Sequence, residues 1–400
     1  MPATYETYLL APDSDSVLAY LPWGASADAA DTGKARTAIG WLEYTNVVNG
    51  VGSWRMGLPY PQFDPSLARL DARLVVWRKP AGGKRYMDFS GFVRTDPADF
   101  YQRGDELYME LRGVCSNFDL KRREIEAFAT TAGASKSGAA DDVMKEFVYE
   151  NLGAGAAADR DLTAQGFTLQ ADMSQGTYIE RAASYQNLLD TLKKIADDSH
   201  SVEATCVYFG CVPLNNGWHS EFRTRIAQWG NDHRHPSGPF GVTGKQGPIV
   251  IGLDRQNLDN ASLLQDRVDE ITFVYGLGQG EGVGRNIQPA YDTARIGASP
   301  RNRIEVSINA NNAATDAEVS GAAQARLRAG RPRRIFTGTL VGTTATQYGV
   351  QWGFGDFLTA IFARTVLDCR VDAVTVRIAG RDETISAQLR SEAYVEPVPT

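Results

Sequence analysis

Residues 349–390 limit the possible fold more than any other stretch of this chain. They read GVQWGFGDFLTAIFARTVLDCRVDAVTVRIAGRDETISAQLR. Apolar residues recur with period two, which predicts at least three antiparallel strands joined by tight turns. Leu367, Cys369 and Val371 alternate with Asp368, Arg370 and Asp372. After Ala373 the apolar set moves to Val374, Val376 and Ile378. A one-residue slip exchanges the two faces of a strand. Either a β-bulge sits near Asp372 and Ala373, or the strand passes from one sheet to another, as at a barrel corner. Residues 379–383 read as a turn, and Ile385, Ala387 and Leu389 return the chain.

Four hundred residues exceed one ordinary core and point to two to four domains. The first 114 residues read mainly as strands. Leu70, Ala72, Leu74 and Val76 alternate with Asp71, Arg73 and Val75 up to a turn at 79–84. A strand at 85–94 follows, and a turn at Arg103, Gly104 and Asp105 leads into alternating Leu107, Met109 and Leu111. Such runs predict an antiparallel meander or small barrel. After Cys115 the pattern changes to that of an α/β segment. Residues 118–128 read as helical and 130–140 as a mobile loop of small residues. Residues 141–152 read as a helix capped by Asp141 and stopped by Gly153, with Val143 and Phe147 on one face. A flexible joint is expected at 153–158. Residues 178–198 carry a helical stripe of Tyr185, Leu188, Leu189, Leu192, Ile195 and Ala196. Strands are expected at 202–209, 221–229, 249–253 and 267–275. A glycine string at 276–284 precedes a helix at 316–329, which has a Thr315/Glu318 capping box and a stop at Gly330 and Pro332. Strands run from Arg334 onward. Two related barrels in one chain would give this coarse order of strands, helices and strands.

The net charge of −7 argues against a dedicated nucleic-acid binder, which presents a basic face. No run of about 18 apolar residues exists, so no membrane-spanning helix is expected. The first 16 residues lack a basic start and a long apolar core, so no secretory leader is expected. Cys115, Cys206, Cys211 and Cys369 are too few and scattered for a disulfide framework, which suits a reducing, cytoplasmic folding compartment.

The candidate sites have bland readings that fit better. In the glycine string the glycines fall at every second position, no helix opens on it, and a dinucleotide fingerprint needs both a two-residue gap and that helix. His200, His219, His233 and His235 share a window with Cys206 and Cys211, all zinc-ligand types, but at spacings of no common zinc pattern. Cys206 reads as a small core residue, and residues 233–236 as an exposed loop. Arg326, Arg328, Arg331, Arg333 and Arg334 form a basic run. It reads as a solvated or inter-subunit face, with phosphate contact the sharper alternative. No nucleophile elbow or zinc-protease motif is present. Asp141, Asp142, Asp197 and Asp198 read as helix-end carboxylates, although paired glycosidase acids need only spatial proximity. Trp218, Trp229 and Tyr208 are the residues that would stack on sugars in a glycan-binding alternative. No catalytic, cofactor-binding or metal site is assigned, and no cofactor is expected.

Three local patterns carry a family resemblance. They are Leu111–Cys115 with the basic turn Leu120, Lys121, Arg122, Arg123, Glu124 and Ile125; DRVDEITFVYGLGQG at 266–280; and the Gly- and Trp-containing turn at 349–356. Together they resemble the tail-tip hub family of siphophages, related in fold to the baseplate hubs of contractile tails. The resemblance implies a mainly β fold of two tube-like antiparallel barrels, at 1–114 and at 246–278 plus 333–392. A peripheral α/β domain at 115–245, an insertion at 279–332 and a tail at 393–400 complete it. It further implies a non-enzymatic virion protein whose homotrimer forms a pseudo-hexameric ring at the tail tip. The implied partners are the distal tail or tube protein, the tape-measure protein and tip or fibre proteins, with transient passage of DNA. Wall-degrading or receptor-binding activity would then reside in another polypeptide. Asp368, Arg370 and Asp372 are expected on a lumen-facing or ring-facing surface. The alternative is a glycan-degrading enzyme or a carbohydrate-binding module at the host surface.

Overall fold

The computed structural model describes residues 3–23, 39–60, 63–95, 99–126, 135–199, 206–214, 217–236, 247–310, 315–340, 343, 346–379 and 382–391. Its first strands are β1 (Thr4–Leu10), β2 (Val17–Trp23), β3 (Trp41–Val47), β4 (Ser53–Pro59), β5 (Arg73–Lys79), β6 (Tyr86–Val93), β7 (Asp99–Arg103) and β8 (Glu106–Cys115). The middle segment holds α1 (Phe118–Lys121), β9 (Ser135–Ala139), α2 (Ala140–Leu152), β10 (Phe167–Leu169), β11 (Tyr178–Ala182), α3 (Leu188–Ser199), β12 (Val207–Pro213) and β13 (Ser220–Ile226). Then come β14 (Val250–Gly252), β15 (Leu258–Asp266), β16 (Phe273–Leu277), β17 (Ile287–Tyr291), α4 (Thr293–Gly297), β18 (Glu305–Asn309) and α5 (Asp316–Ala329). The last strands are β19 (Arg333–Leu340), β20 (Phe357–Phe362), β21 (Thr365–Ala379) and β22 (Asp382–Ser391). The chain is mainly β, as its alternation predicts.

β21 organises the molecule. Its first part pairs with β20, from Phe357↔Arg370 to Phe362↔Thr365. Its second part pairs with β3, from Ala373↔Val47 to Ala379↔Trp41. Between them the register against β22 shifts at Val371/Ala373. The bulge reading of the phase slip therefore holds, whereas the strand does not pass to a second sheet: it changes partner there within one sheet. The bulge keeps Leu367, Cys369 and Val371 and then Val374, Val376 and Ile378 all on the core side, each fully buried. Burying side chains of this size contributes about 1.5–3 kcal/mol each. The N-terminal and C-terminal strands thus form one sheet, β15-β19-β22-β21-β3-β4-β8-β6-β5-β1-β2, with β20, β14 and β7 attached at its flanks. They also share one apolar core. β14 pairs with β20 in parallel, a departure from the expected antiparallel set.

The middle segment encloses its own core of Val143, Phe147, Leu188, Leu192, Phe209 and Phe222. Four local readings change here. Residues 178–198 are a helix only from Leu188. The first part is β11, hydrogen-bonded to β9, and Tyr185 has φ 52 and is exposed, which ends helical continuity. Residues 135–139 are strand β9 rather than loop, while 130–134 lie outside the described residues. Helix α1 is a single turn. Ala139, not Asp141, caps α2. Asp141 is fully buried, pairs with Lys145 at 3.2 Å and accepts from the Gln175 backbone at 2.7 Å.

Two strand boundaries also move. Leu70 and Asp71 precede β5, with Asp71 at φ 59. The strand expected at 267–275 begins at Phe273 and does not join the large sheet. β16 pairs with β17 and β18, and α5 covers one face through Val274, Ala290 and Ala323. β15, absent from the sequence reading, takes its place beside β19. Asp266 and Arg333 are register partners across that pair, so residues 267–332 leave and rejoin the sheet at adjacent positions. α5 shows both halves of its capping box: Thr315 Oγ1 accepts from Glu318 N, and Glu318 accepts from Thr315 N.

Candidate functional site

The most extensive polar feature is the outer face of the shared sheet. Along β22, β21, β3, β4 and β8 every second residue enters the core: Ala387 and Leu389, Val374 and Val376, Leu42 and Tyr44, Trp54 and Met56, Met109 and Leu111. The residues between them point the other way. They are Thr384, Ser386 and Gln388, then Thr375 and Arg377, Glu43 and Thr45, Ser53 and Arg55, and Arg112. Register places Arg377, Glu43, Arg55 and Arg112 in one row across four strands. Arg55 pairs with Glu43 at 3.0 Å, Arg377 approaches the same carboxylate at 4.0 Å, and Arg112 pairs with Glu110 at 2.7 Å and Asp99 at 3.1 Å. Three guanidinium groups face three carboxylates, so the row is charge-balanced. Thr45 and Thr375 share a hydroxyl hydrogen bond of 2.9 Å across the junction of the two strand sets.

This sheet has free edges. Among the described residues β2, β7, β14 and β15 each pair on one side only. β15 displays Leu264 at 56% exposure, and Tyr60 meets Phe100 of β7 edge-on at 5.3 Å, both rings exposed. Unpaired N–H and C=O groups on such edges are templates for another strand.

A polar network lies where the two strand sets meet. Arg78 Nε donates to Tyr5 Oη and to Glu383 Oε1, each at 2.9 Å. Arg78 Nη1 donates to the Tyr348 carbonyl at 2.7 Å and to Tyr86 Oη at 3.2 Å. Tyr44 and Tyr348 both donate to the Asp88 carboxylate. Burial pushes the Tyr5, Tyr44 and Tyr348 hydroxyls well above the usual tyrosine range. No motif announces this group, because its members lie up to 378 positions apart. Beside it a cavity of about 300 Å³, partly open to solvent, is lined by β3, β6, β12 and the 348–354 turn.

The residues singled out by sequence serve structure. Asp368 and Arg370 are buried rather than lumen-facing: Asp368 accepts from Thr359 Oγ1 at 2.6 Å, and Arg370 bonds Asp372 at 2.7 Å and the Tyr208 hydroxyl. Tyr208 of β12, in the middle segment, covers Arg370. His200 lies outside the described residues. Cys206 is buried, and Cys211 is half-buried, its thiol raised by burial. His219 packs on Trp218, with ring centres 4.7 Å apart. His233 is buried instead of looped out, with Nδ1 2.8 Å from the Gly247 carbonyl and Nε2 3.5 Å from Asp356. Among the described residues no three His, Cys, Asp or Glu side chains converge to hold a metal. Asp142 accepts from the Met173 and Ser174 backbone, and Asp198 pairs with Arg181 at 3.4 Å. Arg326 is exposed and Arg328 half-buried on α5. As a stacking face for sugars the aromatic set fails at Tyr208, which is fully buried, and at Trp229, which packs over Gly210 and Gly355.

None of the curated proteins compared matches the chain. Solved structures do. The tail protein from Neisseria meningitidis MC58 is similar with TM-score 0.55 and 11% identity, over 99% of each chain. The 43 kDa tail protein of prophage MuSo2 from Shewanella oneidensis gives 0.56 and 10%, over 97% of this chain and 98% of that one. The lidless PdpA-VgrG complex gives 0.51 and 9%, over all of this chain and 66% of the other. At these identities the likeness is one of fold, and the fold is that of phage tail proteins. The sequence match is more direct: a family profile covers residues 40–389, and the chain belongs to the family of Siphovirus ReqiPepy6 Gp37-like proteins.

Proposed function

We propose that this chain is a structural, non-enzymatic hub at the tail tip or baseplate. Three copies form a pseudo-hexameric ring that joins the tail tube to tip and fibre proteins. The observation that carries this reading is the continuity of β21, which gives each chain one polar wall spanning both strand sets. In the ring that wall lines the channel. Its Thr, Ser and Gln residues and balanced ion pairs present no unpaired basic stripe to retain a phosphate backbone, so a polyanion slides past without sticking. The free edges, β2 and β15 at opposite ends of the sheet, meet neighbouring copies head to tail, which closes a cyclic assembly. The distal tail and tape-measure proteins contact the ring at its two rims, and the particle assembles in the host cytoplasm.

Native mass spectrometry of the full chain tests this. A trimer is expected, and a monomer at all concentrations, with no ring in negative-stain images, refutes it. Leu264→Lys on the free edge of β15 is expected to lower ring abundance. Monomer stability is expected to stay within about 0.5 kcal/mol, as for an exposed position.

A further inference from the structure

The polar network at the junction of the strand sets is one cation short. Its ionisable charges are Arg78 on one side and Glu383 and Asp88 on the other, one positive against two negative. Arg78 is engaged by Glu383, at 2.9 Å. The contacts of the Asp88 carboxylate are the hydroxyls of Tyr44 and Tyr348, and no ion pair joins it among the described residues. Two phenol donors leave a carboxylate with free acceptor positions. Asp88 keeps accessible surface, and it lines the cavity of about 300 Å³ described above. That volume is at the small end of ligand sites, and the composition fits: apolar walls from Phe209, Trp229 and Phe354 with one anionic group. Aromatic faces beside a carboxylate favour a cation on an apolar stem.

We propose that this cavity binds an alkylammonium or alkylguanidinium group, with the cationic head at Asp88 and the stem against Phe354. The same chemistry comes from a small free amine or from a Lys or Arg side chain of a partner protein. Burial already holds the Asp88 carboxyl above the usual range, against the pull of Arg78. A bound cation reverses that and releases a proton, so affinity rises with pH. The groups facing Asp88 are Arg78, Glu383, Tyr5, Tyr44, Tyr86 and Tyr348.

The test titrates the full chain with n-butylammonium, n-butylguanidinium and neutral n-butanol by calorimetry. Saturable binding of the two cations, at least about tenfold tighter than butanol, is expected. Asp88→Asn is expected to remove that preference. Phe354→Ala, which removes an apolar wall of the cavity outside the network, is expected to weaken cation binding at least about tenfold while the circular dichroism spectrum is kept. Acetyl-lysine methylamide separates the sources. Binding comparable to butylammonium assigns a partner's side chain, and exclusion of it while butylammonium binds assigns a free amine. Equal binding of butanol, cation binding unchanged in both variants, or no binding of any cation overturns the proposal.

Discussion

Arg78 is the place where the union of the two strand sets can be measured. It is 1% exposed and holds Glu383 from the C-terminal set and Tyr5 and Tyr86 from the N-terminal set, while its Nη1 takes up the Tyr348 carbonyl. Arg78→Met keeps most of the stem and removes every one of these donors. Breaking a buried ion pair by removing one partner costs about 3–5 kcal/mol, because the other charge is left uncompensated. Glu383 retains 15% side-chain exposure, so water recovers part of its solvation and about 3 kcal/mol is expected. Glu383→Gln is expected to cost a similar amount by stranding the guanidinium. The double variant then loses far less than the sum, with a coupling energy of about 2 kcal/mol or more. The chain has more than one core, so the assay is native-state hydrogen exchange at β5 and β22 amides, read as local opening free energies. Additivity of the two single variants within about 0.5 kcal/mol would refute the reasoning.

Two further outcomes follow from other positions. Burial lifts the Asp119 carboxyl to about 6 although Arg122 and Arg73 pull it down. A carboxyl with a raised folded pKa binds its proton more tightly when folded. Its contribution is full below about pH 4 and is lost as pH rises through about 6, roughly 3 kcal/mol in all. Asp119→Asn should flatten the pH dependence of unfolding across that window, and an unchanged slope would count against it. Gly349 has φ +75, and an added Cβ would lie 2.3 Å from the Tyr86 hydroxyl. Gly349→Ala is expected to lower stability by at least about 1–2 kcal/mol in urea unfolding, and a neutral effect would show that the 348–354 turn yields freely.

What the sequence discloses here is what local physics decides. The Thr315/Glu318 box sits four positions from the first buried residue of α5, and nothing distant competes with it. The slip at Asp372 and Ala373 is legible because a strand with one buried face records its register in its own residues. Asp368 and Arg370 mislead for the opposite reason. Their alternation marks a second face, and only the docking of Tyr208 from another segment decides that this face is covered. Residues 178–187 carry a helical stripe in part, yet pairing of β11 with β9 outweighs that propensity. The Arg78 network leaves no trace in any window, since Tyr5 and Glu383 lie at opposite ends of the chain.

The register pair Asp266↔Arg333 has a consequence for how such proteins diversify. The segment between them joins the sheet at two neighbouring positions at the end of a hairpin, and its other main contact among the described elements is that of α5 with α3. A unit attached in this way can be lost, enlarged or traded for another without altering the register of any strand in the shared sheet. The two strand sets have no such freedom, because both are written into the single strand β21. Recombination between tail genes can therefore exchange the ornament while the frame is inherited whole.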